Sequence, residues 1–94
     1  MKVYEQLFEE NKSTLENIRQ LRIRRNEIIK ELNSSDVYLP ELEHEFSENM
    51  QDETIEISIL IREVDEAYYA QPFKSVRDQG RNQFWKLANQ FLDN

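Results

Sequence analysis

The side chains best suited to metal chemistry are His44 and the glutamates before it. Glu41-Leu42-Glu43-His44 contains Glu-x-x-His, the ligand pair that di-iron four-helix proteins place on facing helices. Such a site needs two of these pairs and two further carboxylates, and this chain has one histidine. Only a dimer could complete it, so we predict no metal site and interpret His44 as a solvated residue.

Covalent catalysis is also disfavoured. The single histidine and the absence of cysteine argue against a Ser-His-Asp or Cys-His nucleophile. Carboxylates are plentiful, but no glycine-rich phosphate loop accompanies them, since the chain has one glycine. We therefore predict that the protein is not an enzyme and uses no cofactor.

The acidic residues are concentrated in the middle of the chain. Residues 34–71 hold eleven Asp and Glu against one Arg, whereas residues 1–33 and 72–94 are each slightly basic. One hypothesis is that this asymmetry fixes antiparallel pairing with the basic part of the first helix and favours solubility. The other is that it forms a surface for a basic partner, such as a basic protein face or the nucleic-acid channel of a protein that it mimics.

A basic cluster in the first helix offers a different function. Arg19, Arg22, Arg24 and Arg25 could contact phosphates, but helical spacing distributes them around the helix instead of along one side. Nucleic-acid-binding domains normally carry a basic balance, and the net charge here is −7. A nucleic-acid-binding regulator is therefore the alternative function, and nucleic acid is not the expected partner.

Trp85 lies off the apolar stripe of the last helix, and an exposed tryptophan is a suitable interface anchor. Most other aromatic residues are expected in the core, because they follow the helical stripes. The residues that we predict to bind a partner are Glu41, Glu45, Glu48, Asp52, Glu56 and Trp85.

Helical periodicity predicts the elements that position these residues. An apolar stripe from Val3 to Leu32 indicates a first helix of about 45 Å, ended by the turn-forming residues 33–36. A second helix should begin near Pro40 and end before Gln71-Pro72. The third should span about Phe73 to Leu92. A polar stretch at residues 49–54 would give four helices if the second broke near Asp52.

Two local features need interpretation. Residues 54–61 alternate apolar and polar side chains as a strand would, but no other segment could pair with them. We interpret this stretch as a helix buried on more than one side. Gly80 falls on the apolar face of the last helix, which indicates either a close helix–helix crossing or a local break.

Composition agrees with an all-α fold. The 94 residues include one glycine and two prolines, too few for the turns of a β-sandwich or barrel, and 33% of residues are charged. No apolar run approaches a membrane span, and the first residues do not lead into a signal peptide. We expect one helical domain over residues 1–94, cytoplasmic and without membrane contact.

The size and predicted hairpin resemble the small partner proteins of type VII secretion. Those proteins carry a Trp-x-Gly turn between two helices, whereas Trp85-Lys86-Leu87 lies within the last helix here. Small acidic helical phage inhibitors and bacteriocin immunity proteins are similar in size and charge. No motif in this sequence assigns it to any of these families.

The predicted architecture is a long antiparallel helical hairpin with a third, shorter helix near its base. A helix of about 30 Å cannot cover two of about 45 Å, so exposed apolar surface should make a homodimer or a constitutive hetero-complex. The predicted function is a non-enzymatic protein-binding module (inhibitor, immunity protein or secretion adaptor) that engages a basic partner through its acidic helix.

Overall fold

The computed structural model describes residues 1–93, and its regular elements are all helices. The prediction of an all-α fold is confirmed, and helix accounts for 86% of the residues. The prediction of three helices was wrong by one. The four helices are α1 (Val3–Glu10), α2 (Lys12–Ser34), α3 (Pro40–Tyr68) and α4 (Lys74–Asp93).

The extra helix arises from a break at Asn11, eight residues into the predicted first helix. Asn11 is only 8% exposed, and its Nδ2 donates to the carbonyl oxygen of Leu7 at 2.9 Å. The Leu7 carbonyl oxygen therefore accepts from this amide and from the backbone N–H of Asn11 at 3.0 Å, and an inserted side chain of this kind is one cause of a local distortion of the helix. Backbone φ and ψ of −107° and 14° at Asn11 mark the interruption between α1 and α2.

The alternative of a break near Asp52 is not found, since α3 continues through it. Two of the polar residues around this position find partners on α2. Asn49 donates to the carbonyl oxygen of Leu21 at 2.8 Å, and Glu53 accepts a hydrogen bond from Arg22 at 3.0 Å. The helix therefore continues through this stretch while Nδ2 of Asn49 and the Glu53 carboxylate bond across the hairpin to α2.

The alternating stretch at residues 54–61 is helical, but the expectation that it is buried on more than one side was wrong. Leu60 is fully buried, whereas Ile55, Ile59 and Ile61 are 59%, 40% and 46% exposed. One helix face is in the core, and these three isoleucines lie on exposed faces of α3.

The main core lies at one end of the molecule, where all four helices meet; we call this end the base. It comprises α1, residues 12–20 of α2, residues 54–68 of α3, and α4. Its core residues are Leu7, Leu15, Ile18, Leu60, Val64, Tyr68, Phe84 and Ala88. Gly80 lies at a close helix crossing, because a Cβ at this position would overlap the Tyr68 ring.

The other end is a two-helix hairpin, residues 21–53, which we call the arm. The molecule measures 57 × 21 × 20 Å, and α4, at about 30 Å, is too short to cover the whole of α3 at about 44 Å. Ile28 is the fully buried apolar residue of the arm. Within residues 1–93, no helix has the length and apolarity needed to cross a bilayer.

Candidate protein-binding surface

One exposed face of α3 carries acidic and aliphatic side chains along both the arm and the base. Its members recur at helical steps of three, four and seven residues, so they share one face of the helix, and all are exposed. We call it the acidic stripe, and it consists of Glu41, Glu48, Asp52, Ile55, Ile59, Glu63 and Glu66. Glu56 lies at its edge and is half-buried. The stripe therefore combines carboxylates with exposed aliphatic side chains.

Other acidic residues of α3 are used inside the hairpin. Glu53 Oε1 lies 3.0 Å from Arg22 Nε and 3.1 Å from an Arg25 guanidinium nitrogen. Glu45 accepts two hydrogen bonds from Arg24, at 2.7 Å and 3.0 Å. Such charge-assisted pairs are stronger than neutral hydrogen bonds. Part of the charge asymmetry thus fixes the α2–α3 pairing, and Glu45 is already occupied.

These contacts shift the pKa values of both carboxyls. Hydrogen bonds from Arg24 lower the pKa of Glu45. Partial burial raises the pKa of Glu53, but hydrogen bonds from Arg25 and Arg22 outweigh it and leave this pKa below its ordinary value. Both groups are therefore carboxylates at neutral pH, held in that state by α2.

A groove of about 500 Å³ runs along one side of the α2–α3 seam. Four of the predicted partner-binding residues line it: Glu45, Glu48, Asp52 and Glu56. Glu41 lies outside the groove, on the same exposed helix face. The α2 side contributes Asn17, Gln20, Leu21 and Arg24, and Ile55 and Asn49 complete the lining. The structure thus brings most of the predicted carboxylates together at one concave site.

Asn49 is the residue of this site that sequence analysis missed. It is 5% exposed, its Nδ2 is committed to the carbonyl oxygen of Leu21, and its Oδ1 has no hydrogen-bond partner. A buried polar atom left unpaired costs about 1–3 kcal/mol. In the sequence Asn49 was part of a polar stretch where a helix break was one alternative, and only the pairing with α2 shows that it is buried.

Most positive charges near the groove are neutralised within the chain. Arg24 is bound by Glu45 and also contacts Glu27 at 3.2 Å. Glu48 lies 2.8 Å from Nε2 of the exposed His44. Within residues 1–93, no basic side chain lies within ion-pair distance of Asp52 or Glu56. The groove is consequently electronegative.

The arginine cluster is held by carboxylates in the same way. Arg22 and Arg25 share Glu53, Arg24 binds Glu45, and Arg19 lies 3.5 Å from Glu16. The Arg19 guanidinium also lies over the Phe91 ring, 5.2 Å from its centroid. A phosphate would have to compete with these contacts, so the geometry disfavours the nucleic-acid alternative.

Trp85 is half-buried and lies away from the groove. Its ring packs against the base core and meets Phe84 edge-on, with centroids 5.1 Å apart. Because this packing uses much of the indole surface, Trp85 contributes to the base. The structure does not bring it together with the predicted carboxylates.

No known protein family, curated protein sequence or solved structure matches this chain. Within residues 1–93, no three His, Asp or Glu side chains form a group that could hold a metal ion. The acidic stripe and its groove are therefore the features from which a function can be inferred.

Proposed function

We propose that the protein is a non-enzymatic binding module, of the inhibitor, immunity or secretion-adaptor type, whose acidic stripe engages a basic surface of a partner protein. The observation that supports this most directly is the lack of compensation along the stripe. Within residues 1–93, no basic side chain lies within 4.0 Å of Glu41, Asp52, Glu63 or Glu66, although arginines neutralise Glu45 and Glu53 nearby.

The close spacing of carboxylates on α3 destabilises the unbound protein. Glu48, Asp52 and Glu56 are spaced four residues apart, and like charges at this spacing each cost about 0.2–0.5 kcal/mol in a helix. A basic partner would remove that repulsion on binding. The exposed side chains of Ile55 and Ile59 supply apolar contact area between the carboxylates, which favours a protein partner with both basic and apolar residues.

A capture experiment from the native host tests this proposal. The test variant carries Glu41→Lys, Glu48→Lys and Asp52→Lys, which leave the Arg24–Glu45 pair intact. The matched control changes three exposed glutamates of α1, Glu5, Glu9 and Glu10, to Lys. We expect the wild type and the control to recover the same partner, the test variant to lose it, and recovery to fall as salt rises. Full recovery by the test variant would contradict the proposal.

The assembly state follows from the same charges. Two copies of the acidic stripe repel each other, so we favour a hetero-complex over a homodimer built on this face. Exposed apolar residues elsewhere, including Phe73 at 67% and Val76 at 43%, would have to make any homodimer. Sedimentation of a monomer at high micromolar concentration would reject the homodimer.

A further inference from the structure

The face of α2 that packs on α4 in the base continues without a covering helix along the arm. In the base, Leu15 and Ile18 lie in the core that α4 helps to form. Near the end of α4, the Phe91 ring lies against the Arg19 guanidinium, so α4 ends close to the level of Arg19. Steps of three and four residues from Ile18 lead to the next members of the same face: Arg22, Arg25, Ile29 and Leu32. Within residues 1–93, the arm therefore lacks the third helix that this face has in the base.

Apolar side chains of both helices contribute to this uncovered face. Ile29 and Leu32 line a groove of about 320 Å³ together with Phe46 of α3. Met50 lies next to them, with its sulfur 3.2 Å from an Arg25 guanidinium nitrogen. Ile29 and Met50 are 38% and 45% exposed. We call this surface the arm face, and it consists of Arg22, Arg25, Ile29, Leu32, Phe46 and Met50.

The arm face lies on the side of α3 opposite to the acidic stripe. Phe46 and Met50 precede Ile55 and Ile59 of the stripe by nine residues each. Nine residues are two and a half helical turns, which places the two pairs on opposite sides of the helix. A partner on the arm face therefore leaves the acidic stripe open.

The rim of the arm face is polar and uncharged, although α3 is otherwise rich in carboxylates. The rim residues are exposed and follow helical spacing on each helix: Asn26 and Asn33 on α2, and Ser47, Gln51 and Thr54 on α3. Two copies of a protein with a net charge of −7 repel each other. A face without surplus carboxylates is therefore the one on which two copies can approach each other most closely.

The charged groups of this region lie at opposite ends of the arm. Near the base, Arg22 and Arg25 share the carboxylate of Glu53, at 3.0 Å and 3.1 Å, which leaves one surplus positive charge. Towards the tip, Glu43 lines the groove with Ile29, and within residues 1–93 no basic side chain lies within 4.0 Å of it. In an antiparallel pair of arms, Glu43 of each copy would lie beside the arginines of the other.

We propose that the arm face binds the arm face of a second copy of this chain, in an antiparallel pair with two-fold symmetry. The inference goes beyond the proposed function and does not depend on it. The four helices of the two arms form a bundle, with Ile29, Phe46 and Met50 of both copies at its centre. The arm is about 20 Å long and two helices wide, so the pair buries roughly 1,000 Å² in total, the size of a weak and reversible interface.

Sedimentation equilibrium over a range of protein concentrations tests the pairing. We expect a reversible dimer with a dissociation constant of roughly 10–100 μM. The test variant carries Ile29→Glu and Met50→Glu, which place carboxylates at the centre of the pair and next to Arg25 of the same chain. The control carries Ile55→Glu and Ile59→Glu, the same charge change on the opposite side of α3.

The two variants should differ clearly. Dimerisation should weaken about tenfold or more in the test variant and less than about threefold in the control, with circular dichroism showing that both are folded. Equal weakening in the two variants, or a wild type that stays monomeric at the highest concentration, would overturn the proposal.

Distances between spin labels test the antiparallel arrangement. The chain has no cysteine, so Asn33→Cys and Ser47→Cys each provide one site for a nitroxide label. Position 33 lies near the tip of the arm and position 47 near its middle, so in an antiparallel pair the two labels at position 33 should lie farther apart than the two at position 47. Similar separations at both positions would indicate a parallel pair and overturn the pairing of Glu43 with the arginines.

Discussion

The base and the arm share the two long helices, α2 and α3, but are stabilised by different interactions. In the base, Leu15, Ile18, Leu60, Val64 and Phe84 are fully buried among four helices. In the arm, α2 and α3 meet through ion pairs and the bond from Asn49 to Leu21, with Ile28 as the fully buried apolar residue. The comparison shows that α3 contributes apolar residues to the core of the base and acidic residues to the pairing with α2 in the arm.

The base and the arm should also differ in how much they contribute to the free energy of unfolding. Burying a large apolar side chain contributes about 1.5–3 kcal/mol, whereas an ion pair open to solvent contributes about 0–1 kcal/mol. The base should therefore carry most of the stability of the molecule. The arm has fewer fully buried apolar residues and more ion pairs, so it is the end whose geometry should depend more on salt and pH, and the groove lies where the arm joins the base.

The largest expected effect is in the base. Phe84→Ala should lower the free energy of unfolding by about 3–5 kcal/mol, because it removes a fully buried aromatic ring and leaves a cavity. The matched control is Phe73→Ala, at a side chain that is 67% exposed, with an expected change below about 0.5 kcal/mol. Urea unfolding measures both, and similar losses from the two variants would refute the assignment of the core.

Gly80→Ala should come next. In an open helix this change stabilises by about 1 kcal/mol, but here the new Cβ would overlap the Tyr68 ring. We expect a loss of about 1–3 kcal/mol from overpacking. In the double variant with Tyr68→Ala, Gly80→Ala should no longer be destabilising. Additive effects in this cycle would show that the two residues do not touch.

Glu53→Gln tests the charged contacts of the arm. It removes the charge that Arg22 and Arg25 share, and because both guanidinium groups are partly exposed we expect it to cost about 1–2 kcal/mol at neutral pH. The pKa of Glu53 is lowered in the folded protein from 4.5, so its contribution is complete above that pH and is lost as pH falls through the folded pKa.

The pH dependence supplies the control for Glu53→Gln. Urea unfolding of the wild type and the variant should differ at pH 7 and converge in acid, below the folded pKa of Glu53. A difference that stays constant across this range would show that the carboxylate charge is not what holds the arm.

The smallest expected effect is that of Asn49→Leu on stability. The substitution gives up one hydrogen bond to Leu21 but also removes a buried oxygen without a partner. Replacing a buried polar group by an apolar one of similar shape is often close to neutral, so we expect a change within about 1 kcal/mol in urea unfolding. A loss near that of Phe84→Ala would show that the arm depends on Asn49 as the base depends on its core.

The sequence predicts the helices well where periodicity and helix breakers agree. Pro40 begins α3, the turn-forming residues after Leu32 separate α2 from α3, and Gln71-Pro72 separates α3 from α4. The close crossing at Gly80 was one of two interpretations and is the one found. These features are local, so neighbouring residues are sufficient to predict them.

Features that depend on contacts between helices could not be predicted. The interruption at Asn11 involves a side-chain bond to Leu7, and the sequence does not show where the Asn11 amide points. The isoleucines of residues 54–61 suggest burial, but only the helix face that contains Leu60 is in the core. The sequence likewise places Glu45 with the other predicted partner-binding carboxylates, and only the structure shows that Arg24 already pairs with it.

Photo-crosslinking tests the central claim, that the acidic stripe is a protein-binding surface, most directly. A photoreactive amino acid is placed at position 55, in the middle of the stripe, and in a second protein at position 9 on α1; each is irradiated in host extract. We predict that position 55 crosslinks to one basic protein, that this crosslink is lost when Glu48→Lys and Asp52→Lys are added, and that position 9 does not capture it. Capture of that protein from position 9 alone, or an undiminished crosslink in the charge-reversed protein, would contradict the account.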